Sequence, residues 1–183
     1  SWNPEMIDFD EINRQISWLE FHDSSGQIVG FMAEMAKQSL YNWWDAVIFY
    51  ENYALNHAPE ERLLPEHLGD ETACREAAAA LKMIARDMKK AMVSIDSGQK
   101  ELTEALLITA DAIDIWNEIG AMTWKKEKQI AVKQEDAAAL AGRLENWFMF
   151  YKKLWRTSSR EGDLHHISEI VFWYADFLRG RGL

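Results

Sequence analysis

Few side chains in this sequence have the types and spacing that chemistry needs. Asp70 and Glu71 form an adjacent acidic pair, the kind of carboxylates an acid–base hydrolase uses. Five histidines are present, and none has a Glu three residues before it, the spacing that helix-borne di-iron sites require. Asp163-x-x-His166 has a related spacing once, without a second copy. On a helix the neighbours His165 and His166 project about 100° apart. No metal and no other cofactor is expected. Cys74 is the single cysteine, so no intrachain disulfide forms. It lies on an apolar helical stripe and reads as a small buried side chain, not as a nucleophile. A Gly-x-Ser-x-Gly elbow and a glycine-rich phosphate loop are both missing from the sequence. Tryptophan is the outlying feature, with nine residues. Trp43, Trp116, Trp147 and Trp173 fall on or beside apolar helical rows and are expected in the core. Trp2, Trp18, Trp44, Trp124 and Trp155 fit the rows less well. Of these, Trp44, Trp124 and Trp155 are the candidate binding residues, because an exposed indole stacks on a sugar face or anchors a partner surface.

The elements that must position these residues are helical. The length of 183 residues suits one buried core, hence a single domain over 1–183, with a subdivision available at the 58–69 loop around Pro59, Pro65 and Gly69. The net charge of −10 disfavours nucleic acid, which needs clustered positive charge. Lys125, Lys126 and Lys128, interrupted by Glu127, read as a solvated helix end. Apolar residues are interrupted too often for a membrane span, which needs about 20 in a row. A chain opening on Ser1 is expected to be a processed chain or an excised domain.

Periodicity predicts an all-α antiparallel bundle of about six helices. Phe9, Ile12, Ile16 and Leu19 mark a helix over about 8–22, with Ser24 or Ser25 as the next N-cap. Segment 27–57 reads mostly as helix, through Leu40, Trp43, Val47 and Tyr50. Ile28–Met32 also fits a short buried strand, but a lone strand would be unstable. Cys74, Ala78, Leu81, Ala85, Met88, Met92 and Ile95 make a heptad stripe. After a turn at Asp96-Ser-Gly98, a second stripe runs through Leu102, Leu106, Thr109, Ile113, Trp116, Gly120 and Thr123. These two form a hairpin over 71–124, with Ala78 and Ala85 available to receive Trp116. Ala137 to Leu154 and Leu164 to Leu178 supply the last two helices, the second capped by Asp163 and apolar on two sides.

The last pair also carries a resemblance. Tyr151-Lys-Lys-Leu-Trp155, Ser159-Arg-Glu-Gly-Asp-Leu164 and Ile167–Arg179 resemble the helical ending of family-20 glycoside hydrolases, the β-N-acetylhexosaminidases, over residues 144–179. The resemblance implies an accessory helical region that follows a catalytic barrel, with the active site outside these residues. His67-Leu-Gly-Asp-Glu71 is similar to that family's catalytic signature, in which the Glu protonates the leaving group and the Asp steadies the acetamido group. The family pattern has two glycines before the Asp and follows a barrel strand; here Gly69 stands alone in a polar loop. The local chemistry favours a helix start instead, with Asp70 as cap and Glu71 at the positive dipole end. The sequence therefore leads to a non-catalytic helical accessory domain whose partners are a neighbouring catalytic domain, another protein or carbohydrate. A homodimerising interaction bundle is the alternative, and a stand-alone hydrolase using Asp70 and Glu71 is the third reading. Trp155 and the 156–163 turn are the expected docking surface.

Overall fold

The computed structural model describes residues 7–54, 64–95, 100–159 and 161–180. Seven helices account for most of them: α1 (Phe9–Phe21), α2 (Ile28–Ala36), α3 (Trp43–Ala54), α4 (Glu71–Ala91), α5 (Lys100–Glu127), α6 (Gln134–Ser158) and α7 (Gly162–Leu178). Short 3-10 turns occupy Glu66–Gly69 and Met92–Ser94. The described residues contain no strand, and Ile28–Met32 is helical. The expected turn at Asp96–Gly98 and residues 58–63 of the 58–69 loop lie outside the described residues.

The bundle has one helix more than expected, because segment 27–57 is two helices. The break before α3 is held by a buried side chain from α5. Asn117 Oδ1 accepts from the Leu40 and Tyr41 amides at 2.8 and 3.1 Å, and its Nδ2 donates to the Gln38 carbonyl at 2.8 Å. Backbone groups freed at a helix break must find partners, and one carboxamide supplies three. The apolar period runs unbroken across the interruption, which is why it read as one helix.

The start of α2 is another correction. Asp23, not a serine, satisfies it: Oδ2 accepts from the Gln27 and Ile28 amides at 2.8 and 3.0 Å. Ser25 donates to Asp23 Oδ1 at 2.6 Å. Ser17 of α1 accepts from the Val29 amide at 2.9 Å, so the first two helices are tied through their termini. Burial alone would raise the Asp23 pKa, but hydrogen bonds from Ser25, Ile28 and Gln27 outweigh it and hold the carboxyl below its ordinary value. Asp163, the expected cap of α7, lies inside its first turn instead.

Antiparallel pairing shows in the long-range contacts. Glu71 at the start of α4 meets Lys125 near the end of α5 at 2.7 Å. Arg143 of α6 pairs with Asp114 and Glu118, while Trp147, one turn on, donates to the Ile108 carbonyl at 2.9 Å. Arg179 closes on Glu145 through two 2.6 Å contacts, and Phe148 packs edge-on against Phe172.

Two hydrophobic clusters share α5. The larger joins α3, α5, α6 and α7 around Tyr41, Trp116, Phe148, Ile170 and Tyr174. The smaller joins α2, α4 and the first half of α5 around Ile28, Leu81, Met88 and Leu106. The α4 stripe is present, although Cys74, Ala78 and Ala85 are only half-buried. Trp116 does not meet Ala78 and Ala85; it packs edge-on to Trp43 at 5.5 Å and to Tyr174 at 5.2 Å. A seven-residue repeat drifts by about 20° per heptad on a straight helix. The α5 stripe thus starts among α2 and α4 at Leu106, meets Tyr174 of α7 at Trp116 and meets Tyr41 at Gly120. Gly120 lets the Tyr41 ring lie on α5, since a Cβ there would stand 2.5 Å from Tyr41 Cγ.

Candidate functional site

Where the aromatic core opens between α5, α6 and the segment before α3, it leaves a cleft of about 520 Å³. Trp147, Tyr151 and Trp155 form one wall. They recur every four residues on α6, so they line up along one face. Their rings lie 5.1 Å apart for Trp147 and Tyr151, and 5.7 Å for Tyr151 and Trp155. Trp43 and Trp116 form the far end. The floor is α5, which presents Ala105, Thr109 and Ala112 together with Ile108 and Ile113. The small side chains among them leave space unfilled. Thr109, expected on the apolar stripe, is exposed here, and its hydroxyl donates to the Ala105 carbonyl at 2.9 Å.

The charge character of the cleft is simple. Among the described residues lining it, none carries a charged side chain. Ser39 and Asn42 supply polar groups at the Trp116 end, and Ser159 supplies one near Trp155. Asn42 Oδ1 accepts from the Trp44 and Asp45 amides, which leaves its Nδ2 free to donate. Burial pushes the Tyr151 phenol above its ordinary pKa, so it stays neutral and can donate at neutral pH. Among the described residues its hydroxyl has no hydrogen-bond partner.

The candidate residues are not gathered in one place. Trp155 lies in the cleft wall and is half-buried, so it is not the freely exposed docking residue expected. Beside it, Arg156 pairs with Glu161 at 2.6 Å. Trp44 is 71% exposed on α3, beside the exposed Ile48 one turn along. Trp124 is half-buried against Gly69, where a Cβ would stand 2.6 Å from its ring. That close approach gives Gly69 a packing role in the His67–Glu71 run. His67 Nε2 lies 2.8 Å from the Leu40 carbonyl. Asp70 caps α4, its Oδ1 accepting from the Thr72 and Ala73 amides at 2.9 and 3.2 Å. Glu71 is exposed, and the hydrogen bond from Lys125 lowers its pKa. His165 and His166 sit exposed on the first turn of α7, 3.6 and 3.8 Å from Glu169. Among the described residues, no three His, Cys, Asp or Glu side chains gather as a metal site would need. None of the described helices is long and apolar enough to cross a membrane.

The lysine run is more engaged than a solvated helix end. Lys125 and Lys128 pair with Glu71 and Glu66, and Lys126 donates to the Phe177 carbonyl at 2.7 Å beneath the end of α7. Burial lowers the Lys126 pKa.

A second surface stands apart from the cleft. Phe9, Ile12, Ile16 and Leu19, whose spacing marked the first helix, are all exposed. Phe9 and Leu19 are 67% and 64% exposed. Their spacing of three, four and three is that of a helix–helix seam. α1 meets α2 through Ser17 and the half-buried Phe21 instead.

Comparison of the chain with protein-family models, curated proteins and solved structures gives no match.

Proposed function

We propose that this chain is a non-catalytic helical accessory domain that docks on a neighbouring module. The uncovered seam of α1 carries the reading. An amphipathic helix normally turns its apolar face to the core, and here Phe9 and Leu19 of that face are largely exposed, with Ile12 and Ile16 partly so. Contiguous exposed apolar surface of this kind marks an interaction site. The resemblance of residues 144–179 to the end of family-20 glycoside hydrolases supplies the setting, in which the neighbour is the catalytic barrel. Asp70 and Glu71 support a structural role at the start of α4, since one caps the helix and the other holds Lys125.

Isothermal titration of the chain against a family-20 catalytic module tests the proposal. Binding is expected, and the double variant Phe9→Ser, Leu19→Ser is expected to abolish it while the melting temperature stays within a few degrees. A module that does not bind removes the glycosidase setting. Sedimentation equilibrium tests the alternative of a homodimerising bundle, which the same seam would also serve. The docking reading expects a monomer, whereas a dimer broken by the double variant would replace it.

A further inference from the structure

We infer that the aromatic cleft is a binding site for a neutral pyranoside. The inference is independent of whether α1 docks on a partner.

Three properties of the cleft lead to this class of ligand. Its volume of about 520 Å³ lies within the range of small-molecule sites, roughly 300–1,000 Å³. Six aromatic rings, Tyr41, Trp43, Trp116, Trp147, Tyr151 and Trp155, line it. An aromatic face is electron-rich, so it attracts the weakly positive C–H groups that cover one face of a pyranose. The polar groups at the rim are hydroxyls and an amide: Ser39, Asn42, Thr109, Tyr151 and Ser159. These pair with sugar hydroxyls, which both donate and accept.

Charge decides between the competing classes. A carboxylate or phosphate ligand would need a cation in the lining, and none is present among the described residues. An organic cation would be attracted by the rings, but no lining carboxylate completes such a cage. A wholly apolar ligand would leave the Tyr151 hydroxyl and the Asn42 amide without partners on desolvation, which costs binding energy. A pyranoside satisfies both the rings and the rim.

The cleft is long enough for more than one ring. α5 lines it from Ala105 to Trp116, a rise of about 16 Å at 1.5 Å per residue. Antiparallel pairing puts Trp155 and Ser159 near the Ala105 end, and Trp43, Ser39 and Asn42 near the Trp116 end. A linked disaccharide could stack on the α6 rings with hydroxyls at both ends.

Saturation-transfer NMR and calorimetry with cellobiose and N,N′-diacetylchitobiose test the assignment, with tetramethylammonium and indole as competing probes. At least one disaccharide is expected to bind with a Kd of about 0.1–1 mM. Trp155→Ala is expected to weaken it at least tenfold, and Tyr151→Phe about threefold. Thr109→Phe, which fills the cleft from an exposed position, is expected to abolish binding with the helical circular dichroism unchanged. No transfer to either disaccharide at about 20 mM would overturn the proposal. So would preferential binding of tetramethylammonium or indole, or disaccharide binding unaffected by Thr109→Phe.

Discussion

Tyr174 and Met88 are both fully enclosed, yet the two sides of the molecule hold them differently. Around Tyr174 the contacts are directional. Its hydroxyl donates to the Ala46 carbonyl and shares a 2.9 Å hydrogen bond with the Tyr41 hydroxyl. Its ring stands edge-on to Trp116 and Trp173. Asn117 fixes the backbone leading into Tyr41. Around Met88 the partners are Ile28, Met35, Leu81, Leu106 and Ala110, which pack by shape alone. Aliphatic and thioether side chains repack readily, whereas a buried hydrogen-bond network tolerates little change. The open surfaces divide in the same way. A shaped cleft borders the directional core, and an uncovered seam lies on the first helix of the adaptable side.

The largest break in this contrast should come from Asn117→Ala. It strips three backbone groups of their partner, and unsatisfied buried groups cost about 1–3 kcal/mol each. A loss of about 3–5 kcal/mol in denaturant unfolding is expected, with the cleft end at Trp43 disordered in parallel. Gly120→Ala comes next, at about 2–3 kcal/mol, because the added methyl strikes the Tyr41 ring where Tyr174 pins it. Tyr174→Phe should cost about 1–2 kcal/mol for the lost hydroxyl bonds.

The same tyrosine sharpens the comparison through pH. Burial raises the Tyr41 and Tyr174 pKa values above the ordinary phenol range. The native state therefore keeps protons that unfolded tyrosines lose near pH 10. Stability is full below about pH 10 and falls as pH rises beyond it. Tyr174→Phe should flatten that alkaline limb in unfolding measured from pH 8 to 11. On the other side of α5, Met88→Leu should cost less than about 1.5 kcal/mol and have the smallest effect of the series, because it nearly conserves volume. A Met88→Leu loss equal to that of Asn117→Ala would erase the contrast.

Much of the helical plan was legible because apolar residues recur at 3.6-residue spacing over long stretches. The two-sided apolar face of α7 and the hairpin of α4 and α5 follow from it. The break before α3 was hidden, since a side chain 79 residues away from Gln38 makes it. The cleft was only partly visible. Trp147, Tyr151 and Trp155 recur at four-residue intervals, a readable signal of one aromatic face. That Ala105, Thr109 and Ala112 stand opposite them depends on how α5 and α6 pair. The α1 seam shows the converse. Phe9, Ile12, Ile16 and Leu19 declare an apolar face, but periodicity does not say what covers it. Lys126 was misread for a similar reason, because the Phe177 carbonyl that engages it lies 51 residues on.

Amide hydrogen exchange, measured with and without an added family-20 catalytic module, tests the docking account most directly. The account predicts that exchange slows across Phe9–Phe21 when the module is present, that Gly162–Leu178 is unchanged, and that Phe9→Ser, Leu19→Ser removes the effect. Exchange in Phe9–Phe21 that is the same with and without the module would contradict it.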